Sequence, residues 1–101
     1  MPTASAVVKP GRPTTRRVRT VRVRPGSQTV AQACSKGERL VAASHAFGFY
    51  TRRPPGQSLV RAVRGTLVVQ GNRVVVSVKA DAELAGVRAV VQVHALCAGA
   101  A

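Results

Sequence analysis

The residues in this chain with chemical potential are few: Cys34 and Cys97, His45 and His94, and the three acids Glu38, Asp81 and Glu83. Acid–base or nucleophilic catalysis needs a reactive group, a base within hydrogen-bond reach, and a third group to orient that base. Both histidines sit in apolar, strand-like contexts, the acids fall in turns, and nothing supplies the orienting partner. A histidine held within a strand accounts for each better than a catalytic role does. Two isolated cysteines without a CxxC pair or a nearby histidine cluster do not make a zinc site. No glycine cluster links a strand to a helix start as a phosphate loop requires. The chain is expected to be non-enzymatic, with no catalytic residue, metal site or cofactor.

Charge is the other chemical resource. Lys and Arg number 16 against three acids, a formal net charge of +13. Such a field favours polyanions or an acidic protein surface. Thirteen of these cations are Arg, whose planar fork pairs bidentately with carboxylate or phosphate. Compositional bias from a GC-rich genome gives the same count, and both readings stand. Seven cations fall between residues 9 and 24: Lys9, Arg12, Arg16, Arg17, Arg19, Arg22 and Arg24. They form the candidate partner-binding arm, with Arg52 and Arg53 as a lesser candidate in a loop. Nucleic acid is the alternative partner, but aromatics to stack on bases are scarce. Phe47, Phe49 and Tyr50 form the one aromatic cluster, read as core or loop anchor.

The elements that position these residues follow from periodicity. At 101 residues there is room for one domain. Its apolar content is mostly Val and Ala, and Val, branched at Cβ, suits a pleated strand. Residues 1–16, rich in Pro and small polar residues, read as an extended basic arm, and 17–101 as the folded domain. Arg17–Arg24 alternates cations with β-branched residues, as in a strand with one wet basic face. Pro25-Gly26 turns the chain into Ser27–Cys34, and Ser35–Glu38 is a polar turn. Arg39–Tyr50 is a third strand, interrupted near Gly48. Thr51–Gln57 is a loop, since its prolines cannot join a ladder interior. Ser58–Arg64 and Thr66–Gln70 read as two strands divided by Gly65, and Gly71-Asn72 as a tight turn. Arg73–Lys79 alternates cleanly, Ala80–Gly86 is a loop or one helical turn, and Val87–Cys97 closes the domain. About seven strands at such spacing predict an all-β fold: a small antiparallel β-sandwich, jelly-roll-like, with a basic N-terminal arm.

Cys34 and Cys97 each end a predicted strand. A disulfide between them would close nearly the whole domain, contributing about 4 kcal/mol by loop-closure entropy; the alternative is two buried thiols acting as small hydrophobes. The disulfide requires an oxidising setting. No run approaches the roughly 18 apolar residues of a membrane helix, and residues 1–25 carry no apolar segment of signal-peptide length, so no membrane association is expected.

The stretch Ala33-Cys34-Ser35-Lys36-Gly37-Glu38-Arg39-Leu40-Val41, with the closing Val93-His94-Ala95-Leu96-Cys97-Ala98, resembles a two-cysteine β-sandwich module of actinobacterial secreted proteins and actinobacteriophage virion proteins. That module opens with Cys-Pro-x-Gly and ends in a valine-rich strand finishing Ala-x-Cys. Here Ser35 replaces the proline, and His45-Ala46-Phe47-Gly48 stands where a glycine triplet is common. The resemblance implies a disulfide-linked sandwich used for adhesion or as a structural add-on. With a chain starting at Met1 and built for an oxidising milieu, the expectation is a phage virion protein, a capsid decoration (cement) or minor virion subunit. It would bind a major capsid or other virion protein with an acidic surface, as a single copy or a homo-oligomer. A secreted adhesion or inhibitor domain is the alternative.

Overall fold

The computed structural model describes residues 13–99. Six strands build two antiparallel three-stranded sheets: β1 (Thr14–Arg22), β2 (Gly26–Ala33), β3 (Arg39–Phe49), β4 (Val63–Gln70), β5 (Arg73–Ala80) and β6 (Ala89–Ala98). One sheet runs β1-β6-β3 and the other β2-β5-β4. Only β4 and β5 join as a hairpin; every other connection crosses between the sheets, the alternation of a jelly-roll-like sandwich.

Alternation decides what is inside. Ala89, Val91, Val93, Ala95 and Cys97 of β6 face Val74, Val76, Val78 and Ala80 of β5, and all are buried. The two central strands thus bring a continuous layer of small β-branched and alanyl side chains together. No polar or charged residue is buried among the described residues. Val30, Val63 and Leu84 complete the layer. Leu84 is delivered by a single 3₁₀ turn, Ala82–Leu84, one of the two forms expected between β5 and β6, a loop or one helical turn.

Two departures from the sequence reading are instructive. Residues Gln57–Arg61, expected as the last loop residue and the first part of a strand from Ser58, form a short helix, α1. Leu59 and Ala62 lie three apart and both turn to the core, a helical spacing concealed in an apolar run. Ala62 also accepts a hydrogen bond from the Asp81 amide at 2.7 Å, which ties α1 to the end of β5. Gly65 does not divide two strands; β4 runs straight through it, leaving six strands where seven were expected. A Cβ at Gly65 would stand 3.0 Å from both His45 Nε2 and Phe47 Cζ. The glycine is there because the facing sheet comes close, not because the strand ends.

Strand limits also move. β1 begins at Thr14, inside the stretch assigned to the arm, and stops at Arg22 rather than Arg24. β3 continues through Gly48 without interruption. Instead its irregularity is at Val41, where the register with β6 shifts between Leu40 and Ala42, a bulge that leaves Val41 exposed.

Candidate functional site

Cys34 follows β2 in one sheet, and Cys97 lies near the end of β6 in the other. They form a disulfide with a Cα–Cα separation of 5.7 Å, so the bond ties the two sheets together at one end of the sandwich. Around it sits a set of polar clamps. Arg17 donates from Nε and Nη2 to the two Glu38 carboxylate oxygens at 2.9 and 2.8 Å, a bidentate pair. The Ser35 amide donates to the same carboxylate at 2.7 Å. Both donors favour the ionised form, Arg17 foremost, and they hold Glu38 below the ordinary glutamate value. Asn72, in the β4–β5 turn, donates to the Glu38 carbonyl at 2.8 Å and accepts from the Leu40 amide at 3.2 Å. Ligand atoms of Cys34, Glu38 and Cys97 lie within 4.8 Å of one another. Both sulfurs are consumed by the disulfide and the carboxylate is held by Arg17, so this cluster is a structural joint.

The histidines do not combine. His45 stands opposite Val93 and faces the second sheet, where it meets Phe47 edge to face at 5.7 Å between ring centroids. His94 stands opposite Ser44, on the outer face of the same sheet. There its Nδ1 lies 3.5 Å from Arg16 Nη1 and its Nε2 lies 3.3 Å from Gln92 Oε1.

The basic residues are distributed in a way the alternation of Arg17–Arg24 did not foretell. Directly opposed residues of an antiparallel pair share a face. Arg17, Arg19 and Val21 oppose Ala95, Val93 and Val91, and so lie on the side toward the second sheet. Arg16, Val18, Thr20 and Arg22 oppose Leu96, His94, Gln92 and Val90, on the outer face. The expected single basic face is instead divided, because the phase slips at Thr20-Val21: cations at 17 and 19 are followed by cations at 22 and 24. Arg19 remains exposed on the inward side only because β1 is the outermost strand of its sheet.

Arg24 lies beyond β1 in the turn to β2. Gln28 shapes that turn by accepting from the Arg24 amide at 2.8 Å and donating to the Arg22 carbonyl at 3.0 Å. Arg52 and Arg53 are exposed in the loop leaving β3. They share an end of the sheet with Arg22, since Phe49 opposes Ala89 and Arg22 opposes Val90, and not with the start of β1. Lys9 and Arg12 lie outside the described residues. The structure therefore brings together Arg16, Arg17, Arg19 and Arg22 as one basic edge and leaves Arg52 and Arg53 apart from its beginning. Glu38 and Asn72, which organise this edge and its end, carried no sequence signal beyond their presence in turns, and Gln28 none beyond its place at the start of a strand.

Two shallow depressions mark the outer face of the β1-β6-β3 sheet. One, of about 110 Å³, lies between Arg16, Ser44, His94 and Leu96. The other, of about 230 Å³, borders Ala46, Gly48, Tyr50, Val90 and Gln92. Neither gathers a reactive set of side chains. No helix among the described residues is long and apolar enough to cross a membrane. Comparison of the chain with protein-family models, curated proteins and solved structures finds no match in any of the three.

Proposed function

We propose that this protein is a non-enzymatic structural subunit of a phage virion, a capsid decoration (cement) or minor virion protein. It would stabilise the particle by laying the basic β1 edge, with the chain that precedes it, across an acidic surface shared by neighbouring subunits. The observation that carries the reading is the edge itself. Of its four arginines only Arg17 has a carboxylate partner among the described residues, the sole ion pair there. Arg16, Arg19 and Arg22 stand exposed around one strand, a charge arrangement that an acidic surface would neutralise. The disulfide supports work in an oxidising medium, where a shell protein finds itself after lysis. The resemblance of the cysteine-bounded segment to virion modules points the same way.

The test is binding to phage particles assembled without the protein. Arg16→Glu/Arg19→Glu/Arg22→Glu should weaken particle binding about 10-fold or more, since steering charge acts strongly on association, while leaving the melting temperature near that of the parent. Raising the salt should weaken the parent's binding as well. If the triple variant binds and protects particles as the parent does, the docking mechanism is wrong. Salt-sensitive retention on nucleic acid with no affinity for particles would instead favour a nucleic-acid partner.

A further inference from the structure

β1 is an outermost strand of its sheet, and its backbone shows which groups are left over. Two bonds flank the strand: the Gly99 amide donates to the Pro13 carbonyl at 2.8 Å, and the Val23 amide donates to the Ala89 carbonyl at 2.9 Å. The register with β6 runs between them without a bulge. Pairing alternates along an antiparallel ladder, so the odd-numbered residues of β1 bond to β6. The even-numbered ones turn their N–H and C=O groups to the open edge. The Arg22 carbonyl obeys this rule, since the Gln28 side chain donates to it from that side at 3.0 Å. Among the described residues, nothing pairs with the outward groups of Arg16, Val18 and Thr20. The same strand holds three exposed arginines with no carboxylate partner among the described residues, Arg16, Arg19 and Arg22. They lie three positions apart, and side chains alternate with a period of two, so they fall on the outer, inner and outer faces in turn.

We propose that β1 accepts an extended acidic segment of its protein partner as an added strand, with acids at every third residue. This deepens the reading of the basic edge given above and rests on it. A planar acidic surface would meet one face of β1 and leave the arginines of the other face unmatched. An added strand presents alternate side chains to both faces, while its backbone satisfies the open row of donors and acceptors. Acids at every third residue would stand opposite Arg16, Arg19 and Arg22 together, and opposite charges directly across a strand pair attract. Arg17 needs no such partner, because Glu38 already holds it. Charge complementarity singles out the occupant. A second copy carrying +13 is repelled from this edge, and residues 1–12 hold Lys9 and Arg12 but no acid. A nucleic-acid strand would match the charge, but its phosphodiester backbone only accepts hydrogen bonds and would leave the open carbonyls unpaired.

Binding of synthetic peptides of nine residues, the length of β1, to the oxidised full chain tests it. A Thr/Val peptide with Glu at its second, fifth and eighth positions should bind about 3-fold or more tighter than its isomer with Glu at the second, fourth and sixth, all on one face. N-methylation of alternate residues gives two versions of the first peptide, each blocked along one edge. One version should lose about 10-fold or more in affinity and the other should bind like the unmethylated peptide, because a strand pairs through alternate amides. Exchange of the Arg16, Val18 and Thr20 amides should slow on binding. Arg16→Glu/Arg19→Glu/Arg22→Glu should weaken the peptide about 10-fold or more. Arg52→Glu/Arg53→Glu/Arg64→Glu makes the same change of net charge away from β1 and should leave binding unchanged. Equal affinity of the two methylated versions would overturn the proposal, and so would tighter binding of a single-stranded oligonucleotide of equal charge. The particle assay separates the two readings. Protection of particles by the β1 triple variant refutes docking through the basic edge, whereas methylated versions that bind alike while that variant fails on particles refute the added strand alone.

Discussion

The two long sides of this sandwich use the same strand geometry and opposite chemistry. Along β1, cations point to both faces, and one of them is locked to Glu38 beside the disulfide. Along β3, the residues are small, apolar or aromatic, and charge appears only at Arg39. Both strands pair with the same neighbour, β6, so backbone pairing does not distinguish them. Side-chain chemistry alone separates an edge rich in cations from one that carries a single cation at its start.

The comparison can be broken most severely at the joint that both sides share. Cys34→Ser/Cys97→Ser removes the link between the sheets, and chain entropy predicts a loss of about 4 kcal/mol in unfolding free energy. Chemical denaturation of oxidised and reduced protein, alongside the double variant, measures it. Equal midpoints for all three would show that the sheets hold together without the bond. A smaller effect confined to the β3/β4 side is expected from Gly65→Val. The added side chain meets His45 and Phe47, where even a Cβ would be crowded, and overpacking of this kind costs about 1–3 kcal/mol. Thermal unfolding should report the loss, while Arg17 and Glu38 remain paired.

The smallest effect sharpens the charged side. Glu38 is held below the ordinary glutamate value of 4.5 by Arg17 and the Ser35 amide. The folded state therefore releases this proton more readily than the unfolded chain. Its contribution to stability is present in full above that ordinary value and is lost as the pH falls through the lower folded value. Glu38→Gln should be less stable than the parent near neutrality, with the two converging on the acid side. Parallel melting-temperature curves across the acid range would refute the assignment.

How far this architecture was readable is clearest residue by residue. The alternation in Arg73–Lys79 and Val87–Cys97 placed Val74, Val76, Val78, Val91 and Val93 on faces that prove to be buried, because period-two patterning is local and strong. The cysteine positions at predicted strand ends suited the bond that is present. By contrast, Ser58–Arg64 reads as a strand, yet a short apolar run also fits a helix, and packing of Leu59 and Ala62 against the core goes with a helix over Gln57–Arg61, while Val63 and Arg64 stay in β4. Gly65 looked like punctuation because its real constraint, the approach of His45 and Phe47, comes from residues about twenty positions away.

What the chain by itself determined was strand character, the Val-rich interior and the excess of positive charge, all properties of neighbouring residues or of composition. The tertiary structure alone decided which strands became edges, how the arginines of β1 divided between two faces, and that the strand carrying the aromatic cluster would be an edge. Those outcomes depend on which distant strand each segment pairs with and in what register. A one-residue shift exchanges every inward and outward side chain, so no local pattern could have settled them.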